Sequence, residues 1–357
     1  MIEIDGSYGE GGGQILRTAL SLSVIFKQDI YIKNIRKNRN PPGLKNQHLH
    51  TILLLKKITN AETNEIKIGS EELYFKPRNI NPGIYKENLE TAGSITLLLQ
   101  GILLPLLFSK DKIKLKIIGG TDVKNSPSLD YFRYVLLPYY NIFGKVKLEI
   151  IKRGFYPKGN GEIKLEIYPR YHLEDYDNIN SFLKDINNIK ELNIPEENSE
   201  EIYIYSVATK DLKDRNVAER MINSAIKLFY KYPEIKIRRY IEYVDSLSTG
   251  AVITIVGKKG DYYFGSDFLG EKGLSSEIVG KNAAEKFLKV LENNVSVDVN
   301  LSDNLVPFLL FLNGKYSTYE FSNHLKTNIY ISNLFLDRIK YKIDKKVYIF
   351  SKDLFIQ

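Results

Sequence analysis

Apolar positions along this chain recur at two periods, and the switching between them divides it into elements. A 3.6-residue period begins after a run of glycines with Ile15, Ala19 and Leu22, and returns from Leu44 to Ile58 behind the stop at Pro41–Pro42–Gly43. Ile95 to Phe108 is apolar on every side, which predicts a buried helix. Ser126–Pro127 reads as an N-cap with proline at the first helical position, leading into Leu129, Phe132 and Leu136. Ser275 opens another helix with Val279, Ala283, Phe287 and Leu291 along one face, and Leu305 to Leu312 closes the set. Between them the β-branched or alternating runs Asp29–Lys33, Lys112–Ile118, Val146–Ile151 and Glu162–Tyr168 predict strands.

The pattern changes in the middle. Residues 175–195 are rich in Asn, Asp and Glu and resemble a boundary. Beyond them come a strand (Glu201–Val207), a helix (Val217–Tyr230, with Asn216 as cap and Glu219 three residues on), a strand (Ile235–Val244) and a hairpin around Lys259–Gly260. These predict a small inserted α/β domain over 182–276, between main-body segments 1–181 and 277–357. With the insert removed, helix pairs beginning near 11 and 42, 93 and 126, and 275 and 303 recur every 82–87 residues or so, as expected for three copies of a strand–helix–strand–helix unit.

Composition narrows the chemistry. The 357 residues contain no cysteine, which excludes disulfides, thiolate metal sites, iron–sulfur clusters and cysteine nucleophiles. The longest apolar run is interrupted by Gln100, Gly101 and Pro105, and the N-terminus has neither a basic nor an apolar leader region, so a cytoplasmic protein without a membrane segment is expected. The net charge of +8 is unevenly spread: residues 1–60 carry nine basic and four acidic side chains, 141–170 seven and three, and 171–200 two and eight. Basic segments set apart from an acidic one suit a polyanion groove, though a solvated surface accounts for many such imbalances.

Four kinds of segment could carry chemistry. Gly9-Glu10-Gly11-Gly12-Gly13-Gln14-Ile15-Leu16-Arg17 is a glycine loop running into a helix, suited to an anion at the free helical N–H groups; it is neither a Walker loop nor a GxGxxG turn, and a tight strand–helix turn is the plain alternative. The basic stretch Arg36 to His48 sets two arginines three apart ahead of a helix, a bidentate phosphate grip or simply a solvated loop. His48 and His50 lie two apart on that helix and so point to different faces, against a zinc pair. Ala92–Thr96 with Gln100, Gly119–Asp122 and Arg153–Glu162 each place glycine beside polar groups at an element junction. Asn323-His324-Leu325-Lys326-Thr327-Asn328 contains a histidine whose neutral imidazole is a competent nucleophile toward phosphorus near pH 7.

In order along the chain, GSYGEGGGQILR, IRKNRNPPGLKNQHL, AGSITLLLQ, GGTDV with SPSLDY, RGFYPKGNGE, NLSDNL and NHLKTNI resemble the RNA 3′-terminal phosphate cyclase family. That resemblance implies an α/β (α+β) fold of three ββαβα-type repeats, each with a four-stranded sheet and two helices, plus a small thioredoxin-like insert. It implies ATP as co-substrate with Mg²⁺ or Mn²⁺, RNA 3′-phosphate ends as the partner, and no membrane or obligatory protein partner. It further implies His324 as the nucleophile that accepts AMP, Gln100 and the stretch Asn300, Leu301, Ser302, Asp303 and Asn304 as nucleotide contacts, and Glu10 as the metal ligand. Arg17, Arg36 and Arg39 would be catalytic arginines around the phosphates, with Gln47 at the RNA end. The chain departs from the family where Asn300 replaces a common aromatic residue and Asn304 a common glutamine. Two other readings stay open: a non-cyclising relative that acts in ribosomal RNA processing, and a synthase of the enolpyruvyl-transferase architecture. Retention of His324 speaks against the first; the second needs neither a histidine nucleophile nor ATP, and ATP-dependent release of pyrophosphate would separate it.

Overall fold

The strands marked by alternation find their partners in four separate four-stranded mixed sheets. The computed structural model describes residues 1–197, 199 and 201–352.

The first unit runs β1 (Ile2–Asp5), α1 (Gly13–Phe26), β2 (Ile30–Lys33), α2 (Asn46–Thr59), β3 (Glu62–Thr63) and β4 (Leu73–Lys76). Its sheet order is β1-β2-β4-β3, with β1 and β2 parallel and the other pairs antiparallel. The second unit repeats this plan with β5 (Gly83–Asn88), α3 (Ile95–Leu106), β6 (Ile113–Gly119), α4 (Leu129–Tyr131) continued through a π-helical turn (Phe132–Leu136) into α5 (Leu137–Tyr140), β7 (Gly144–Lys152) and β8 (Gly161–Pro169). Its order is β5-β6-β8-β7, again with only the first pair parallel. The helix after β6 is capped by Ser128, whose Oγ accepts from Tyr131 N; Ser126, the residue the sequence pattern favours, instead donates to Val123 O.

After α6 (Ile179–Asn187) comes β9, only Leu192–Asn193, which pairs in parallel with a strand more than a hundred residues later. The chain then builds the fourth sheet from β10 (Glu201–Thr209), α7 (Val217–Phe229), β11 (Lys236–Val244), β12 (Ala251–Lys259), β13 (Tyr262–Leu269) and α8 (Ser276–Glu292), in the order β11-β10-β12-β13. It returns through α9 (Val299–Leu305), β14 (Gly314–Thr318), α10 (Asn323–Phe335), β15 (Ile339–Ile343) and β16 (Val347–Ser351). The sheet β9-β14-β16-β15 has the order and the parallel first pair of the first two units.

Strand pairing therefore draws the boundaries differently from the sequence pattern. Each of the three like units runs β-α-β-α-β-β, with the hairpin after the helices. The inserted segment lies between β9 and α9. Phe182 of α6 packs edge-on against Phe108 of the main body at 5.0 Å, so residues from 182 to β9 stay with the main body. Helix α8 packs on α7, β12 and β13, with Phe287 against Phe229 and Phe264, and so belongs with the insert. The third helix pair is α9 and α10, not the helices at 275 and 303.

Helix α1 is buried from Ile15 to Ile25 and packs between α3 and α10, which makes it the central helix of the main body. Around it Phe108, Phe143, Phe308 and Phe311 form one aromatic cluster, with ring centroids 5.2 to 6.2 Å apart in the contacting pairs. Among the described residues no helix is long and apolar enough to cross a membrane.

Candidate active site

Ligands on α/β units gather where parallel strands end and helices begin. Here the segments following β1, β2 and β14 meet at one rim. Asp5, at the end of β1, accepts from Ser7 N, Ser7 Oγ and Asn34 Nδ2, and Asn38 Nδ2 donates to Ser7 O. Arg39 closes the junction by donating from Nε to Glu10 O at 3.1 Å and from Nη2 to Glu10 Oε2 at 2.6 Å. On the far side of Glu10, Asn323 Nδ2 reaches Oε1 at 3.3 Å. The glycines let the loop come this close to α10. Gly9 sits in the left-handed region at φ +58, and a Cβ there would lie 2.9 Å from Thr327 Oγ1. Tyr8 stacks on Tyr330 at 3.9 Å and pins the loop to the same helix.

Helix α10 is held by a polar network that sequence reasoning missed. Ser322 Oγ caps it by accepting from Leu325 N and donates in turn to Asp303 Oδ1 at 2.7 Å. Burial pushes the Asp303 carboxyl up to about 8, against the pull of the Ser322 hydrogen bond. Asn328, fully buried, accepts from Thr18 Oγ1 and Gln14 Nε2 of α1 and donates to Asp303 O. Gln14 and Asn328 both stand inside motifs quoted above, but only their pairing across more than three hundred residues reveals the role.

His324 is the second residue of α10. Its side chain opens to solvent at the rim, yet the protein packed around it lowers its pKa; Glu10 opposes this shift while Arg17 and Arg39 reinforce it. The ring is therefore neutral at pH 7, with an unprotonated nitrogen able to attack. A Cβ added at Gly12 would lie 3.8 Å from His324 Cε1 and 3.9 Å from Arg39 Nη2, so the missing side chain leaves the space between imidazole and guanidinium clear.

The remaining sequence candidates separate into two kinds. Arg17 is buried, with Nη2 donating to Gln14 Oε1 at 2.5 Å and a buried Nε that has no hydrogen-bond partner among the described residues. Burial lowers its pKa to about 10, so it stays charged. Its stem lies against Gly101 of α3, where a Cβ would be 3.4 Å from Arg17 Cγ. Gln100 on α3 and Gln47 on the first turn of α2 are half-buried amides whose side chains make no hydrogen bond to any described residue. Such unfilled valences are what a bound polar ligand needs.

Arg36, by contrast, is spent on its own loop. It is buried at a left-handed φ of +54, and Nη1 donates to Pro41 O and Gly43 O at 3.0 and 2.8 Å. Leu301 and Ser302 are fully buried, Leu301 in the apolar core, while Asn300 and Asn304 remain accessible. His48 is buried beneath the glycine loop, with Nδ1 accepting from Lys45 N and Nε2 against Gly13, where a Cβ would come within 2.2 Å. Burial, aided by Arg17, Arg36 and Lys45, takes its pKa down to about 3. Glu10 is the carboxylate at the rim; among the described residues no three His, Asp or Glu side chains converge as a metal cage.

The other glycine-rich motifs form a second, buried cluster. Arg153 donates to Asp130 Oδ1 and Oδ2 at 2.7 and 2.8 Å and to Asp122 Oδ2 at 3.2 Å, all three being nearly inaccessible. Burial works against the charge of Arg153, but the two aspartates outweigh it and raise its pKa. Around this cluster Ser128 N donates to Asp267 and Tyr131 Oη to Asp298, while Phe155 packs on Val207 and Val252. GGTDV, SPSLDY and RGFYPKGNGE thus join the second unit to the insert.

A neutral imidazole at a helix N-terminus, faced by arginines and a glycine loop, defines an α/β enzyme that handles phosphoryl groups. A profile of the RNA 3′-terminal phosphate cyclase family matches residues 8–343. Proteins named RNA 3′-terminal phosphate cyclase are 38% identical over 343 residues in Archaeoglobus fulgidus (95% of this chain, 97% of that protein) and 37% over 352 residues in Methanosarcina acetivorans (97% and 98%). In Pyrococcus abyssi the figure is 38% over 340 residues (95% and 94%). The chain belongs to the RNA 3′-terminal phosphate cyclase family.

Proposed function

We propose that this enzyme converts an RNA 3′-terminal phosphate into a 2′,3′-cyclic phosphodiester at the expense of ATP, through AMP carried on His324. The neutral imidazole attacks the α-phosphorus of ATP, forming a P–N bond as pyrophosphate leaves. The RNA 3′-phosphate then takes the AMP, and the neighbouring 2′-hydroxyl attacks that phosphorus to close the ring and expel AMP. Adenylation supplies the leaving group that a bare phosphate lacks, and the vicinal hydroxyl supplies proximity.

The observation that carries this reading is the position of His324, neutral at the N-terminus of α10 and facing Arg39 across the space left by Gly12. Arg39 and Arg17 balance the charge on the transferring phosphoryl oxygens. Gln100 and the accessible Asn300 and Asn304 contact the nucleotide, and Gln47 the RNA end. Arg36, tied to its own loop, acts by holding Arg39 in place. Glu10 suits a Mg²⁺ or Mn²⁺ ion that takes its other ligands from phosphates and water, and such an ion would neutralise phosphate charge. Incubation of a 3′-phosphorylated RNA with ATP and Mg²⁺ tests the reading. The expected result is an end that resists phosphatase and co-migrates with a 2′,3′-cyclic standard; an end that stays phosphatase-sensitive overturns it.

A further inference from the structure

The outward face of the second unit's sheet carries a charge pattern that folding alone would not favour. Helices cover its other face, burying Ile113, Leu115, Ile117, Ile163, Leu165 and Ile167. On the open face Lys86, Lys116 and Lys164 stand directly opposite one another on β5, β6 and β8. Like charges directly opposite on neighbouring strands are destabilising. Only Lys116 of the three has a carboxylate in reach, Glu162 at 2.8 Å. In the next row Lys114 faces Glu166 at 3.1 Å, with Lys147 on the glutamate's other side. Lys145 and Lys147 have no carboxylate partner among the described residues. The strands of this face hold seven lysines, counting Lys86, Lys114, Lys116, Lys145, Lys147, Lys152 (opposite Glu162) and Lys164 (opposite Glu149), against Glu149, Glu162 and Glu166. The first unit, of identical strand order, sets Glu3, Asp5 and Glu62 against Lys33 and Lys76 on its corresponding face.

At the end of its first strand this basic face leads toward the start of α2, which carries Gln47. Lys86 lies three residues before Leu89, roughly 10 Å of extended chain, and Leu89 O accepts from Asn46 Nδ2, next to Gln47. We infer that the lysine face of the second unit's sheet holds the phosphate backbone of the RNA leading up to the reacting 3′ end. The inference rests on the RNA-end reading above. The partner it fits is a single-stranded polyanion bound through charge without base selection, because lysines outnumber glutamates on the face.

The test neutralises the three lysines Lys86→Gln, Lys147→Gln and Lys164→Gln, none of which is ion-paired, in the full-length enzyme. Turnover is measured on a long 3′-phosphorylated oligoribonucleotide and on a dinucleotide with the same end, across a salt series. The expected outcome is a KM for the long RNA raised roughly tenfold or more at low salt, with a salt slope reduced by about 2. KM for the dinucleotide, kcat and AMP attachment from ATP alone should not change. Relief of the opposed charges should leave the melting temperature equal to or above wild type, which a structural role for these lysines would not do. An unchanged KM and salt slope for the long RNA, or an equal loss on both substrates, overturns the inference. If wild type attaches AMP but cyclises neither substrate, the RNA-end reading has failed instead.

Discussion

Two clusters of glycine, arginine and carboxylate stand at strand ends in this molecule, and they look alike in sequence. One joins Glu10, Arg39 and His324; the other joins Asp122, Asp130 and Arg153. In the first, the Arg39–Glu10 pair is substantially open to solvent, Arg17 keeps an unpaired donor, and nearby amides have no partner. In the second, the guanidinium and both carboxylates are almost wholly buried and bonded to each other, although Arg153 Nε, like Arg17 Nε, has no hydrogen-bond partner among the described residues. Exposure separates the two: the solvent-open pair leaves room for a ligand, whereas the buried one forms a joint. A buried ion pair is costly to break but contributes little net stability, so the second cluster specifies how the insert docks rather than chemistry.

The contrast breaks most severely at Arg153. Replacement by leucine leaves Asp122 and Asp130 buried without their partner, and should cost about 3–5 kcal/mol of unfolding free energy, measured by denaturant titration. A loss under 1 kcal/mol would mean that the joint is not closed. Arg39→Ala should act in the opposite sense. Its exposed ion pair is worth less than about 1 kcal/mol, yet AMP attachment should slow by about 10²–10³ if the guanidinium stabilises charge on the transferring phosphoryl group. An unchanged rate would make Arg39 a surface residue.

Asp303 gives a subtler signature. Its carboxyl titrates near 8 in the folded chain against 3.8 in the unfolded one, so the native state holds a proton that the unfolded state has lost between these values. Stability from this group therefore falls as pH rises from about 4 to about 8 and levels off above. Asp303→Asn should remove that slope, as read from unfolding curves across the window; a slope that persists would assign it to other groups. The smallest effect concerns His324 itself. Because its pKa is lowered, the midpoint of the AMP-attachment rate against pH should lie below 6.5, and a midpoint at 6.5 or above would contradict the geometry around the ring.

What the sequence disclosed follows from which interactions are local. The glycine loop into α1, the uniform apolarity of α3 and the hairpin at Gly260 are written in neighbouring residues, and each lies where its pattern implies. The third unit was opaque because its first strand is two residues long, too short for any period, and is recognisable only by its pairing with Gly314 and Lys315. Amphipathicity showed that α8 is a helix but not which sheet it covers. In the site, His324 and Arg39 were legible as residue types in a motif. Nothing local distinguishes Arg36, folded back onto Pro41 and Gly43, from Arg39 three residues later. The links from Asn328 to α1 exist only once the first and third units meet, and that from Ser322 to Asp303 only once α9 and α10 pack together.

The most direct test of the central claim is incubation with ATP labelled at the α-phosphate and Mg²⁺, for wild type and His324→Ala, followed by a denaturing gel. The account predicts an acid-labile labelled band in wild type and none in the variant, with both proteins melting at the same temperature. A band that survives in His324→Ala, or no band in either protein, would contradict it.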